Sequence, residues 1–235
     1  MTSISNPICV PLDTPDLSRA VELASALNGH VGYAKIGLEF FYAHGASGYE
    51  AVAHAGLPIF LDLKLHDIPN TVAAGLTSLL RLDPVPSIIN VHATGGPDMM
   101  RAAADAVAGR VRLIGVTILT SLSDADLAAA GFAPDKGTAE HATRLAQLAR
   151  ECGLAGVVCS AHDTAGIKQA CGADFLTVVP GIRPTGSAVQ DQKRIATPRA
   201  ACDAGADILV IGRPITQADD PVAAAIAILE ELGAA

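Results

Sequence analysis

The stretch Phe60-Leu61-Asp62-Leu63-Lys64-Leu65-His66-Asp67 places two opposite charges inside a run that otherwise reads as a buried β-strand. A period of two over residues 58–65 puts Ile59, Leu61, Leu63 and Leu65 on one face. Asp62 and Lys64 share the other face with Phe60, and Asp67 follows just past the expected strand end. If both faces are covered, a carboxylate and an ammonium lie in the interior at a desolvation cost of roughly several kcal/mol each, before pairing offsets it. A cost of that size usually has a functional reason.

The segments on either side extend this strand into a repeating pattern. Short apolar runs suited to strands fall at 8–12, 32–37, 58–64, 87–92, 112–119, 154–159, 174–179 and 206–211. Between and after them, stretches rich in Ala and Leu fit amphipathic helices at 15–28, 39–55, 70–82, 97–108, 138–152, 161–170, 197–204 and 219–232. Eight strand–helix units in 235 residues point to an α/β fold, a (β/α)8 TIM barrel forming one domain over 1–235. A doubly wound open sheet is the rival. Its usual cue is missing, because the first strand runs into Asp13-Thr14-Pro15-Asp16 and not a glycine-rich turn. Two connections are long. The segment 120–137 has room for a short helix from Asp124, and 180–196 carries Gly181, Pro184, Gly186 and Ser187, as lids and binding loops often do.

Composition fits this reading and excludes others. Half the residues are apolar, Trp is absent and aromatics are 3%, so the core is built from Ala, Val, Leu and Ile. A net charge of −8 argues against non-specific nucleic-acid binding but not against a locally bound anion. Five scattered cysteines, Cys9, Cys152, Cys159, Cys171 and Cys202, form no CxxC pair and read as buried thiols in a reducing compartment. The N-terminus lacks a basic and apolar leader pattern, and no apolar stretch reaches spanning length. A soluble cytoplasmic protein with no membrane partner is expected.

In such a barrel the active site forms at the C-terminal ends of the strands. Those ends carry Asp13, Lys35, Asp62 with Lys64, His92, Thr120 with Ser121, Arg183, and Gly212 with Arg213. If the strand registers match, Lys35, Asp62 and Lys64 form an alternating row of charge. The alternative is a salt-bridged plug, although barrel interiors are normally filled by branched apolar residues. Asp67, just before Ile68-Pro69-Asn70-Thr71, reads equally as a turn or capping residue and as a catalytic carboxylate. Ile211-Gly212-Arg213-Pro214 suits a phosphate seat, with Arg183 closing over the same group. His92 reads more readily as a hydrogen-bonded core histidine than as a general base. No HExxH or Cys/His cluster suggests a metal site.

Together these motifs resemble the orotidine 5′-monophosphate decarboxylase family. The resemblance rests on Asp62-Leu-Lys64-Leu-His-Asp67-Ile-Pro-Asn-Thr71, with Ala34-Lys35-Ile36-Gly37, Asn90-Val91-His92-Ala93 and Val116-Thr117-Ile118-Leu119-Thr120-Ser121. It continues through Pro180-Gly181-Ile182-Arg183-Pro184, Asp191-Gln192 and Ile211-Gly212-Arg213-Pro214. It implies a cofactor-free barrel without a metal, usually a homodimer, that converts orotidine 5′-monophosphate to uridine 5′-monophosphate. Carried over by position, Lys64 protonates pyrimidine C6, and Lys35, Asp62, Lys64 and Asp67 form the catalytic charge network. Asp13 and Lys35 bind ribose, Thr120 contacts the pyrimidine, Arg183, Gly212 and Arg213 hold phosphate, and Gln192 links the closing loop to the ligand. Asp67, Ile68 and Thr71 complete the neighbouring subunit's site. Pro11 departs from the small or apolar residue common there, which puts the local strand geometry in doubt.

Related Mg²⁺-dependent sugar-phosphate barrels share the Asp-x-Lys-x-x-Asp pattern of strand 3. They are expected to place a Glu ligand on strand 2, where this chain has Lys35. A Schiff-base aldolase using Lys64 is a third reading, and a nucleotide-binding barrel without turnover is the non-enzymatic one.

Overall fold

The structure is a computed structural model that describes residue 4, residues 6–184 and residues 196–233. Among the described residues there are eight strands: β1 (Ile8–Pro11), β2 (Tyr33–Ile36), β3 (Ile59–Leu65), β4 (Ile88–His92), β5 (Arg112–Val116), β6 (Gly156–Val158), β7 (Leu176–Val179) and β8 (Ile208–Val210). They pair in parallel in chain order and close as β1 meets β8. The helices are α1 (Leu17–Leu27), α2 (Leu38–Ala53), α3 (Pro69–Leu79), α4 (Pro97–Val107), α5 (Asp124–Ala129), α6 (Thr138–Glu151), α7 (Ala161–Cys171), α8 (Pro198–Asp203), α9 (Arg213–Thr216) and α10 (Pro221–Leu232). This is the expected (β/α)8 barrel, with α5 in the connection after β5 and α9 at the barrel mouth as short additions.

Local sequence explains where the helices begin. Asp16 caps α1 by accepting the Arg19 amide, and Ser123 forms a reciprocal capping box with Asp126 that starts α5 in the long 120–137 connection. Pro69 sits in the first turn of α3, where its missing N–H leaves no helical bond unmade. On α4, Met99, Met100, Ala103 and Val107 line the buried side, a helical spacing that turns one face to the barrel.

Two apolar shells result. The larger lies between barrel and helices. It includes Ile59 and Leu61, with Leu63 and Leu65 packed against it, so the apolar face of β3 points outward as its alternation predicts. The smaller fills the barrel bore with Cys9, Tyr33, Phe60, Ile88, Ile114, Leu176, Val178, Ile208 and Val210. Two residues further along their strands, on the same inward face, come Pro11, Lys35, Asp62 and Asn90. The polar layer therefore rests directly on the apolar plug.

Two strands depart from simple expectation. β5 ends at Val116, short of residue 119; the Thr117 amide completes the last step of the β6 ladder by donating to the Val158 carbonyl at 3.1 Å, and its hydroxyl donates to the same oxygen at 2.9 Å. In β3 the period of two conceals a bulge. Leu61 pairs with Ile89 and Leu65 with Val91, so residues 62–64 occupy the length that β4 fills with Asn90 alone. Within the bulge Lys64 takes a left-handed backbone, φ 52°, which non-glycine residues seldom adopt.

Candidate active site

A cavity of about 640 Å³ opens at the C-terminal mouth of the barrel. Asp13, Lys35, Asp62, Lys64, Thr120, Arg183, Gly212 and Arg213 all line it, with Phe60, Ile118, Val158 and Val210 supplying apolar wall. Eight of the residues predicted from sequence thus converge on one space.

At its base the side chains alternate in charge. Asp13 Oδ1 accepts a hydrogen bond from Lys35 Nζ at 3.1 Å, Lys35 Nζ lies 3.2 Å from Asp62 Oδ2, and Lys64 Nζ donates to Asp62 Oδ1 at 2.7 Å. The register that makes this possible pairs Lys35 with Phe60, one inward step before Asp62. The Lys35 and Asp62 side chains are 10% and 11% exposed and Lys64 29%, so the inner pair is held largely away from water while Lys64 faces the cavity. Burial alone pushes the Asp62 carboxyl up, but Lys35, Lys64 and the hydrogen bonds from Lys64 and Asn90 together hold it below the ordinary carboxylate range. Burial likewise pulls Lys35 down, yet Asp62 and Asp13 raise it above its ordinary value. Both remain charged at neutral pH, and the row is a fixed electrostatic device. Gly37 permits the outer contact, since a Cβ there would lie 3.1 Å from both Asp13 Oδ1 and Lys35 Nζ.

After β8, which neighbours β1, Gly212 precedes α9 and Arg213 opens it. A Cβ on Gly212 would sit 3.0 Å from Pro11 Cγ, so the Pro11 ring is seated against the glycine and both line the cavity. The strand survives Pro11. It pairs with Lys35, and Leu12 carries the ladder on by donating to the Lys35 carbonyl at 2.9 Å. By alternation, the N–H that Pro11 lacks would have faced β8. Arg183 stands where Ile182 and Ala196 form a parallel bridge, and its Nη1 donates to the Ile182 carbonyl at 2.9 Å.

Asp67, Ile68 and Thr71 do not line this cavity and are exposed. Asp67 Oδ1 accepts the Ile68 amide at 2.6 Å, a local turn contact. Gln192 and Asp191, with most of the 180–196 segment, lie outside the described residues. His92 does not line the cavity. Its ring lies 5.3 Å from that of His66, and burial, then His66 and Lys64, lower its pKa against a smaller opposing pull from Asp62. The imidazole is therefore neutral at neutral pH. Cys9 is fully buried and burial drives its thiol pKa far up, which makes it inert packing.

Sequence reasoning assigns no role to Asn90, which proves central. It is fully buried, its Nδ2 donates to Asp62 Oδ1 at 2.7 Å, and its Oδ1 accepts the Lys64 amide at 2.8 Å. One signal was available: Asn90 shares inward parity with Ile88, and a lone amide in a strand bore needs a partner.

The geometry has close counterparts. A sequence model of the orotidine 5′-phosphate decarboxylase / HUMPS family matches residues 6–228. Orotidine 5′-phosphate decarboxylase of Novosphingobium aromaticivorans is 54% identical over 226 residues, covering 96% of this chain and 98% of that protein. The namesake from Erythrobacter litoralis is 50% identical, covering 94% and 97%. The crystal structure of orotidine 5′-phosphate decarboxylase from Lactobacillus acidophilus superposes with a TM-score of 0.83 at 36% identity, over 97% of this chain and 99% of that one. Among the described residues no helix is long and apolar enough to cross a membrane.

Proposed function

The chain belongs to the orotidine 5′-phosphate decarboxylase / HUMPS family, and from that membership we propose that it converts orotidine 5′-monophosphate to uridine 5′-monophosphate and carbon dioxide, the last step of de novo UMP synthesis. The observation that carries this reading within the family is the unbroken row Asp13–Lys35–Asp62–Lys64. A Mg²⁺-dependent relative would need an anionic ligand on β2. Here β2 presents the Lys35 ammonium, 3.1 and 3.2 Å from the two carboxylates that a cation would require.

The chemistry suits this row. Loss of carbon dioxide from C6 leaves an electron pair in the ring plane, where the π system absorbs it poorly. The Lys64 ammonium, fixed by Asp62, stabilises that charge and then delivers a proton to C6. The pyrimidine carboxylate, set beside Asp62, is repelled until it leaves. Two like charges at roughly 4 Å interact by about 4 kcal/mol at an effective dielectric of about 20. Asp13 and Lys35 bind the ribose hydroxyls, Thr120 the pyrimidine edge, and Arg183, Gly212 and Arg213 the phosphate, with Gln192 joining the closing loop to the ligand. Phosphate binding lowers the barrel's chemical barrier if it drives that loop shut. No cofactor enters the scheme.

The same reading makes the enzyme a homodimer with shared sites. Ile68 and Tyr42 are 67% and 78% exposed, with Leu38 at 37%. Leu38 opens α2 and Ile68 is the N-cap of α3, just past the ends of the adjacent strands β2 and β3, and Tyr42 lies one helical turn beyond Leu38. This apolar rim around Asp67 suits a second copy, whose Asp67, Ile68 and Thr71 would close over the cavity.

The test is the loss of orotidine 5′-monophosphate absorbance on adding the protein. Turnover is expected in the presence of EDTA and absent in Lys64→Ala. A wild-type chain without turnover, or one silenced by chelation, overturns the assignment.

A further inference from the structure

We infer that Asn90 is the positioning residue that sets the catalytic pair, holding Lys64 and Asp62 in register by standing in for the strand partner that the β3 bulge removes. This rests on the decarboxylase reading above for its kinetic consequences, but its geometry is independent of that reading.

The bulge creates a backbone problem. Three residues of β3 lie opposite one of β4, which takes the Lys64 amide out of the regular ladder register. An unpaired buried N–H is seldom tolerated. Asn90 Oδ1 accepts it at 2.8 Å, and the Lys64 backbone is thereby held in its left-handed conformation, φ 52°. A backbone N–H can only donate, so the carbonyl end of the Asn90 amide must face Lys64. The Nδ2 end is then forced toward Asp62, where it donates to Oδ1 at 2.7 Å. That oxygen also accepts from Lys64 Nζ at 2.7 Å.

One planar amide therefore touches both members of the pair: the main chain of the lysine and the side chain of the aspartate. The Asn90 side chain has no exposed surface and sits outside the cavity lining, so it acts through the other two groups and does not touch substrate. An amide meets this demand at every pH. A carboxylate of the same shape accepts from Lys64 but turns a second negative oxygen on Asp62. An apolar isostere meets neither.

These differences define the test. Asn90→Leu should lower kcat about 100-fold, the scale on which a displacement of about 1 Å acts on a reacting group, with KM changed little because the ribose and phosphate contacts lie on other strands. Asn90→Asp should be similarly impaired at alkaline pH, where the new carboxyl, raised by burial and by Asp62, is ionised and repels Asp62. It should regain activity relative to wild type as the pH falls and that carboxyl protonates, because a neutral acid again offers one donor and one acceptor. A merely structural role predicts a lowered Tm with no such acid rescue. The proposal is overturned if Asn90→Asp folds and shows either wild-type kcat at alkaline pH or an equal deficit at every pH. A readout separate from turnover guards against failure of the decarboxylase reading: the Asn90 side-chain amide resonance should shift in Asp62→Asn. An unmoved resonance overturns the proposal even in an active enzyme.

Discussion

Asp62 and Lys64 stand two residues apart on β3, yet their side chains meet at 2.7 Å beside a backbone turned to φ 52° at the lysine. On a regular strand the two would be separated by about 6.6 Å of rise. The bulge replaces that even spacing with a closed triangle of Asp62, Lys64 and Asn90. The ammonium is aimed by its neighbours and not left to the freedom of its own chain.

Burial makes Asp62 and Lys64 unequal in their contribution to folding. Asp62→Asn removes the anion beside Lys35, whose side chain is 10% exposed, and breaking a buried pair on one side costs about 3 kcal/mol. Lys64→Ala leaves Asp62 with Lys35 and Asn90 and should cost under about 1 kcal/mol. Urea unfolding of the two variants measures the contrast, and equal losses would contradict it. Both variants should lose turnover.

Pro11 and Gly212 are expected to couple. Gly212→Ala drives a methyl to 3.0 Å from Pro11 Cγ and should cost about 1–3 kcal/mol of stability while weakening binding of the phosphate-bearing ligand. Pro11→Ala removes that Cγ and restores a backbone donor. The double variant should be more stable than the sum of the singles by about 1 kcal/mol, as thermal or urea unfolding of all four proteins reads directly.

Stability should follow pH in three separate windows. His92 has a folded pKa below its unfolded value of about 6.5, so the unfolded chain takes up the proton first and stability declines as pH falls through that value. His92→Phe should flatten this limb. Asp62 is also depressed, so its contribution is complete above about pH 4 and is lost only at more acid pH. Lys35 is raised, and its contribution fades only as pH climbs beyond about 10.4. Urea midpoints across pH for wild type, His92→Phe and Lys35→Met test each limb. An unaltered acid limb in His92→Phe refutes the first assignment.

Shared sites predict complementation. Lys64→Ala and Asp67→Ala chains, each inactive alone, should regain about a quarter to a half of wild-type turnover per site when mixed into one dimer, since one of two sites is then intact. A verified mixed dimer without recovery places Asp67 in its own chain's site.

Much of this was legible in the residues. The eight strands and the outward Leu face of β3 follow from alternation, and the charged row follows from Lys35, Asp62 and Lys64 sharing inward parity. The bulge was hidden because parity looks the same whether a strand pairs evenly or slips. Only the partner strand reveals the slip, and here the partner is Asn90, 26 residues from Lys64 in the chain. Local pattern fixes which way a side chain points, whereas register belongs to pairs of strands. Gly45, with φ 58° inside α2, breaks a helix that composition alone reads as continuous.

The Ile182–Ala196 bridge has a bearing on how such a protein can change over time. Arg183 donates its amide to the Ala196 carbonyl at 2.9 Å, and Ala196 donates to Gly181 at 3.3 Å. The chain on either side of residues 185–195 is thus fastened to itself before it reaches α8. With the two anchors already adjacent, doubling the number of residues between them adds only about 0.6 kcal/mol of closure entropy. A change of length between these anchors therefore need not loosen the staves beneath them, so the barrel can be inherited unchanged while the connection it carries is replaced.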